Sequence, residues 1–324
     1  MTSNLLTQNP EYYTVWNNRR LLLQDVFSKE LAAPLDESAT SQDLTSAQQE
    51  ILLLIQEDLQ FLIPLLKGYP KCYWIWNHRA WLLRQASEHL PTSSAQKLWE
   101  GELGLVGKML SYDSRNFHGW SYRREVISAL KHLSQEHTES ESEPKSTTEH
   151  EFAYTTKMIK TNLSNFSAWH NRSKLIPTLL RERNADAQAR RKLMTDEFDL
   201  ITEALYTDPY DQSLWFYHNY LMSTLVPEAA GTDESSLIVL DLTSQEITRH
   251  LEDQLTNLRD ILEGTDDCKY VLQALLTYAA KYRALETTSD TITNADMASW
   301  IAKLEELDPL RKGRWRDLRT TLGL

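Results

Sequence analysis

The sequence predicts an all-α protein, a right-handed superhelix of stacked helical hairpins, and three observations support that class. Helix-forming residues dominate, whereas the 324 residues include only 9 glycines and 10 prolines, so the turn chemistry of an all-β fold is scarce. Apolar residues recur at helical spacing along much of the chain, which indicates amphipathic helices. A tryptophan-centred motif returns five times, a pattern typical of a repeat array. We therefore predict a single repeat domain over residues 1–324.

The repeated motif consists of an opening turn, an aromatic residue and then Trp-x-x-Arg. Its five tryptophans are separated by 60, 44, 49 and 46 residues, and this spacing fits one helical hairpin per repeat. A degenerate sixth copy has the outline expected of a capping repeat. The copies lie near residues 9–23, 69–83, 113–127, 162–176 and 208–222, with the degenerate cap near 308–318.

The opening turn predicts where a helix starts in each copy. Asn9-Pro10 pairs a residue that caps helices with a proline suited to the first helical turn. The tryptophan follows six residues after the proline position, and apolar residues such as Leu22 and Leu23 come next. We expect the indole and these leucines on the buried face of the helix.

The tryptophan and the arginine of the motif are interpreted as structural residues, because residues that recur in every repeat usually hold repeats together. Ring and guanidinium lie one helical turn apart, and the arginine can bridge to acidic groups or carbonyls of a neighbouring repeat. His218 replaces the arginine in the fifth copy. The residues assigned this role are Trp16, Trp76, Trp120, Trp169, Trp215, Arg19, Arg79, Arg123 and Arg172.

One polar segment interrupts the pattern, and the start of the array is atypical. Residues 134–151 are rich in Glu, Ser and Thr and carry no large apolar residue, so we predict an acidic flexible loop there. The first repeat opens at Asn9 with little before it, and we expect its hairpin to lack a partner helix.

Composition excludes several classes of function. The formal net charge of −12 and the pI near 5.3 argue against a surface for nucleic acid or anionic lipid. The two cysteines, Cys72 and Cys268, form neither a disulfide framework nor a metal-ligand pattern. No apolar run is long enough to cross a membrane, and the start of the chain lacks the layout of a signal peptide. We predict a cytoplasmic protein with no integral membrane segment and no metal site of its own.

One local cluster of basic residues suggests a binding site for an anion, although no complete catalytic motif occurs in the chain. Lys71 follows the opening turn of the second repeat, and Arg115 and His118 follow that of the third. Stacked repeats would bring these side chains together at helix N-termini, which favour anions. The cluster therefore predicts a phosphate site; the alternative is that Lys71 and Arg115 are ordinary surface cations.

Tyr73 stands beside this cluster. Tyr13, Phe117 and Phe166 occupy its position in other repeats. We therefore expect its ring to pack against the protein, even if its hydroxyl contacts a ligand.

The five copies, among them YPKCYWIWNHRAWLL, DSRNFHGWSYRR, NLSNFSAWHNRS and DPYDQSLWFYH, resemble the signature of the protein prenyltransferase α-subunit family. The sequences of these copies are most similar to the type II branch of the family, the α subunits of Rab geranylgeranyltransferase, in their short fungal form. The resemblance covers residues 9–224 and, more weakly, the rest of the chain to Leu324. It implies a superhelix of the prenyltransferase α-subunit type wrapped around a β subunit.

The resemblance also implies a function and residue roles. The obligate β subunit would supply the zinc, and this chain would hold no cofactor. The heterodimer would transfer geranylgeranyl from geranylgeranyl diphosphate to C-terminal cysteines of Rab GTPases, with a Rab escort protein as a further partner. The resemblance assigns catalytic roles to Lys71, Tyr73 and His118, and the diphosphate would meet Lys71, Arg115 and His118.

Two alternatives remain open from the sequence. The chain could be the α subunit shared by farnesyltransferase and type I geranylgeranyltransferase, which act on CaaX proteins. It could also be a non-catalytic helical-repeat scaffold that binds peptides. The Trp-x-x-Arg marks and the Lys71–His118 pair argue against the scaffold.

Overall fold

The computed structural model describes residues 1–32, 44–135, 147–225, 237–285 and 292–324. In these ranges the chain forms fourteen α-helices and one 3-10 turn, with no strand, which confirms the all-α class. The helices are α1 Thr2–Gln8, α2 Tyr13–Leu31, α3 Ser46–Gly68, α4 Tyr73–His89, α5 Thr92–Tyr112, α6 Phe117–Gln135, α7 Thr147–Thr161, α8 Phe166–Glu182, α9 Ala187–Thr207, α10 Gln212–Leu225, α11 Ser244–Gly264, α12 Lys269–Leu285, α13 Asn294–Leu307 and α14 Lys312–Leu322.

The chain divides into two compact units, Met1–Thr147 and Thr148–Leu324. The first unit consists of the hairpins α1–α2, α3–α4 and α5–α6, and its helices α2, α4 and α6 pack side by side. The second unit consists of α7–α8, α9–α10, α11–α12 and α13–α14, and α8 packs against α10. Helical hairpins are thus the building block of both units, as the repeat pattern predicts.

In six hairpins, a four-residue turn of the same type joins the two helices. In each turn the N–H of the fourth residue donates to the carbonyl oxygen of the first, at 2.9 to 3.4 Å. Pro10 is the second residue of such a turn, and α2 begins only at Tyr13. The prediction that the proline occupies the first helical turn is therefore wrong by three residues. The turns are residues 9–12, 69–72, 113–116, 162–165, 208–211 and 265–268.

The fixed distance of six residues between turn and tryptophan has a direct cause. In all five copies the indole Nε1–H donates to the carbonyl oxygen six residues earlier, at 2.8 to 2.9 Å. Since each indole is at least 96% buried, this bond satisfies a polar group that would otherwise be costly inside the protein. The tryptophan therefore ties the turn to the helix as well as filling the core.

Three motif arginines, Arg19, Arg79 and Arg172, link successive hairpins through buried carboxylates. Arg79 in α4 donates to Glu102 in α5 with Nε at 2.9 Å and with Nη2 at 2.5 Å. Tyr122, two residues after the next tryptophan, donates to the same carboxylate at 2.7 Å. Burial, together with the Glu102 charge, raises the pKa of Tyr122 well above its ordinary value, so the phenol remains a neutral donor.

The same arrangement recurs at an earlier and at a later point of the sequence. Arg172 in α8 holds Glu197 in α9 at 2.7 Å, and Tyr217 donates to Glu197 at 2.5 Å. Arg19 in α2 binds Asp58 in α3, and the third group there is the ring of His78, 2.8 Å from Asp58. We call Asp58, Glu102 and Glu197 the clamp carboxylates. Each lies on the first helix of a hairpin and is held by the arginine of the hairpin before it.

The C-terminal region contains a hairpin that the tryptophan motif did not reveal. The turn at 265–268 has the same hydrogen bond as the others, and Leu272, 2% exposed, stands in the tryptophan position. Cys268 and Cys72 occupy the same turn position in their hairpins. Each thiol faces the carbonyl oxygen of a proline in the preceding turn, Cys72 that of Pro10 at 3.4 Å and Cys268 that of Pro209 at 3.1 Å.

The degenerate copy near 308–318 has a different turn. Asp308 is followed by the 3-10 turn Pro309–Arg311, and the carbonyl oxygen of Pro309 accepts the N–H of Lys312. Trp315 is 2% exposed, but its buried Nε1 has no hydrogen-bond acceptor. The final hairpin thus keeps the buried indole without its usual bond.

Three sequence expectations need adjustment. A partner helix for the first hairpin is present as α1, whose Leu6 is fully buried. Leu22 is 60% exposed rather than buried, because α2 ends the row of second helices in its unit and α1 is short. Of the predicted loop at 134–151, the ends are helical in α6 and α7, and residues 136–146 lie outside the described residues.

Among the helices in the described ranges, none is both long and apolar enough to cross a bilayer.

Candidate active site

The predicted cluster gathers at the N-terminal ends of α4 and α6, two neighbouring helices of the first unit. Lys71 lies in the turn before α4, and Tyr73 is the first residue of that helix. The Lys71 side chain is 80% exposed, and its Nζ is 3.8 Å from Oδ2 of Asp113 in the next turn. A pair this long and this exposed contributes little to stability, so the ammonium can turn toward an anionic ligand.

The second half of the cluster comes from the turn and first residues of α6. The rings of Tyr73 and His118 lie 6.1 Å apart between centroids. Arg115 is exposed, and its backbone N–H points at Oδ1 of Asp113 at 3.4 Å. The structure therefore brings Lys71, Tyr73 and His118 to one surface and sets Arg115 two residues from the carboxylate that faces Lys71.

Gly119 fixes how closely α6 approaches α5 beside His118. A Cβ at this position would lie 3.0 Å from Cδ2 of Leu110, which is closer than packed carbons normally come. The Gly119 backbone N–H donates to Oδ1 of Asn116 at 3.0 Å, and this bond fixes the first turn of α6. The start of α6, and with it His118, is held by these two contacts.

The surface around Tyr73 includes two residues that the sequence did not single out. Asn77, one turn along α4, donates from Nδ2 to the Tyr73 hydroxyl at 3.1 Å. Arg20 of α2 donates from Nη2 to Oδ1 of Asn77 at 2.6 Å. Burial lowers the pKa of the Arg20 guanidinium, and nearby Arg84 lowers it further. Arg20, like Arg19, belongs to the Asn-Asn-Arg-Arg string after Trp16, but only the first of these arginines follows the repeated motif.

The ring of Tyr73 packs against neighbouring rings, with centroids 5.1 Å from Trp74 and 6.1 Å from His118, but it stays half exposed. Tyr73 is 50% exposed, Tyr13 54%, Phe117 73% and Phe166 45%. The position is the first residue of its helix in each case. These rings therefore make contacts at the surface of the protein and are not part of its buried core.

Within the described residues, no group of three or more His, Cys, Asp and Glu side chains can hold a metal ion. Burial raises the pKa of the Cys72 thiol, which disfavours the thiolate that a metal would need.

Comparisons with known proteins place this geometry in a family. Residues 1–26, 55–86, 99–130, 148–179 and 194–225 match the protein prenyltransferase alpha subunit repeat. The geranylgeranyl transferase type-2 subunit alpha of Saccharomyces cerevisiae is 32% identical over 320 residues, covering 98% of this chain and 83% of that protein. The subunit of the same name from Schizosaccharomyces pombe is 34% identical over 330 residues, covering 100% and 84%. The chain belongs to the family of type-2 geranylgeranyl transferase α subunits.

The likeness extends beyond fungi and to a solved structure. The Homo sapiens type-2 α subunit is 34% identical over 247 residues, which are 74% of this chain and 37% of the human protein. A chain of the Candida albicans protein geranylgeranyltransferase-I complexed with GGPP has the same fold, with a TM-score of 0.60 and 16% identity, covering 99% of this chain and 82% of that one. The five repeat matches end at residue 225, so the α11–α12 and α13–α14 hairpins of this type-2 α subunit lie outside them.

Proposed function

We propose that this chain is the α subunit of a heterodimeric Rab geranylgeranyltransferase, active only when paired with a β subunit, in the cytoplasm. The reaction would move a geranylgeranyl group from geranylgeranyl diphosphate to C-terminal cysteines of Rab GTPases presented by an escort protein. The observation that carries the proposal is the surface formed by exposed Lys71 and by the neighbouring rings of Tyr73 and His118, on a member of the type-2 α-subunit family.

The proposed chemistry places the leaving group on this surface. The carbon–oxygen bond of the diphosphate ester breaks, the cysteine sulfur bonds to the freed carbon, the thiol proton is lost, and diphosphate leaves with the bonding electron pair. Negative charge therefore grows on the diphosphate as the transition state forms. A preplaced Lys71 ammonium, together with Arg115, would stabilise this charge more in the transition state than in the ground state.

Tyr73 and His118 would complete the diphosphate site as hydrogen-bond donors. Their rings are neighbours, at 6.1 Å between centroids, and lie at the starts of two helices whose dipoles favour anions. Zinc, when bound in the partner β subunit, would activate the cysteine thiol. The residues of this chain would orient the diphosphate, and they would leave the metal to the partner.

Co-expression with candidate β subunits tests the proposal. The full chain is paired with a type II β subunit or with a type I β subunit, and transfer of labelled geranylgeranyl is measured on two substrates. We expect stable pairing with the type II subunit and transfer to a Rab with a double-cysteine tail in the presence of escort protein. Transfer to a CaaX protein instead, or failure to pair with either subunit, would overturn it.

A further inference from the structure

We infer that Asn77 and Arg20 are positioning residues that hold the Tyr73 hydroxyl as a hydrogen-bond donor aimed away from the protein, toward a phosphate oxygen. The inference rests on the proposed function, and it concerns the direction in which one proton points. Hydrogen bonds link three groups in series: the guanidinium of Arg20, the amide of Asn77 and the phenol of Tyr73.

The guanidinium determines the direction in which these hydrogen bonds run. An arginine side chain has donors and no acceptor, so the Asn77 atom 2.6 Å from Nη2 of Arg20 must be the amide oxygen. The Nδ2 group of Asn77 then faces Tyr73 and donates to its hydroxyl oxygen at 3.1 Å. Because that oxygen accepts from Asn77, the phenolic proton is left for another acceptor. Donors arranged in series also polarise one another in the same sense.

Arg20 is itself fixed from behind by a buried ring. Its Nε donates to Nδ1 of His78 at 3.2 Å, and its guanidinium lies 5.6 Å from the Trp81 ring. Nδ1 must therefore be unprotonated, and the His78 proton resides on Nε2, 2.8 Å from Oδ2 of Asp58. Burial lowers the pKa of His78, which favours this neutral form. The clamp carboxylate Asp58 thus supports the imidazole, and the imidazole supports Arg20.

The arrangement crosses from one hairpin to the next. Arg20 belongs to α2 and is 57 residues from Asn77, whereas Asn77 and Tyr73 are one turn apart on α4. The first hairpin therefore reaches the candidate active site through Arg20, although it contributes none of the residues assigned to the reaction. Tyr13 and Asn17 hold the corresponding positions of α2, and the exposed Asn17 offers a matched control.

Two measurements on the heterodimer test the inference. The first is the single-turnover transfer rate of Tyr73→Phe, Asn77→Ala and the double variant, with Asn17→Ala as control. We expect each single variant to slow transfer about tenfold, the size of one hydrogen bond to a charged group. The double variant should be no slower than Tyr73→Phe, because Asn77 acts through the hydroxyl that this variant lacks. The control should match the wild type.

The second measurement does not depend on activity. Carbon-13 at Cζ of tyrosine reports the state of the phenol, and the Tyr73 signal is identified by its loss in Tyr73→Phe. We expect Asn77→Ala and Arg20→Met to shift this signal and Asn17→Ala to leave it in place.

The outcomes separate this inference from the proposed function. A Tyr73 signal that ignores both substitutions, or an Asn77→Ala loss that persists in full in the Tyr73→Phe background, would overturn the positioning role. A wild-type heterodimer that transfers nothing while the Tyr73 signal still responds to Asn77 would overturn the proposed function and leave the positioning pair standing.

Discussion

The guanidinium of Arg79 and the carboxylate of Glu102 form a two-pronged ion pair in the interior of the first unit, with 2% and 6% of the two side chains exposed. The remaining Nη1 of Arg79 donates to the carbonyl oxygen of Leu59 at 2.8 Å. The pair is therefore fully engaged as well as buried, and it spans two hairpins.

Removing one member of this pair should be strongly destabilising. Glu102→Gln leaves the Arg79 charge buried without its counterion, and we expect a loss of about 3 to 5 kcal/mol in the free energy of unfolding. The control is Arg84→Met, which breaks an exposed pair with Glu125 (54% and 38% exposed) and should cost about 1 kcal/mol or less. Urea unfolding of both variants measures the difference, and similar losses would contradict the distinction.

The tryptophan anchor can be divided into its two contributions. Trp120 is 3% exposed and its Nε1 donates to the carbonyl oxygen of Ser114 at 2.8 Å. Trp120→Phe keeps most of the ring and should cost about 1 to 3 kcal/mol through the carbonyl left unpaired. Trp120→Ala should cost ~3 to 5 kcal/mol. Thermal unfolding checks the order, and a melting temperature unchanged by the alanine variant would rule out the anchor role.

His218 should make stability depend on pH in a defined window. Burial lowers its pKa to about 4 from 6.5, against a raising effect of Gln254. Between these two values the unfolded chain binds a proton that the folded chain refuses. The free energy of unfolding should therefore be highest above pH ~6.5 and fall by about 1.4 kcal/mol per unit as the pH drops toward 4.

His218→Gln tests this origin of the pH dependence. Its free energy of unfolding should decline less steeply than that of the wild type between pH 6.5 and 5, and the two slopes should agree above pH 7. Urea titrations at pH 7.5, 6.5 and 5 give the slopes. Parallel curves across the whole range would assign the effect to other groups.

Lys71 should matter for the rate and not for folding. Its side chain is 80% exposed, so Lys71→Ala should leave the melting temperature and the pairing with a β subunit unchanged. We expect a barrier higher by about 2 to 4 kcal/mol, roughly a hundredfold or more in single-turnover rate. The control is Lys67→Ala, an exposed lysine in the last turn of α3. Full activity in Lys71→Ala would remove this residue from the mechanism.

The exposed rings of the first unit should contribute to binding a partner. Phe117 is 73% exposed, and large exposed aromatic residues often dominate interfaces. Phe117→Ser should leave thermal unfolding of the chain nearly unchanged and weaken binding of the β subunit about tenfold or more. Leu53→Ser, at a 54% exposed site in the middle of α3, is the control. Equal binding by both variants would place the interface elsewhere.

The sequence was sufficient for features that repeat. A tryptophan six residues after a turn implies the same local contact each time, so one interpretation served five hairpins. The placement of Lys71, Tyr73 and His118 at neighbouring helix starts followed in the same way, because stacked hairpins bring the starts of their second helices side by side. The all-α class and the hairpin unit were predictable for these reasons.

Features that depend on contacts between distant residues were not predictable. The link from Arg20 to Asn77 joins positions 57 residues apart, and nothing in either local sequence marks it. The α11–α12 hairpin carries Leu272 where a tryptophan was sought; the shared position of Cys72 and Cys268 was the signal available. Exposure of Phe117 was missed because an aromatic residue looks the same in sequence on either face of a helix.

The clamp carboxylates bear on how such a chain can change its length. Glu102 pairs with an arginine of the hairpin before it, and Glu197 does the same in the second unit. Excising the whole α3–α4 hairpin would remove Asp58 and Arg79 together, and Arg19 would then meet Glu102, whereas losing a single helix would leave a buried charge without its counterion. Insertions and deletions in descendants of this protein should therefore involve whole hairpins more often than single helices.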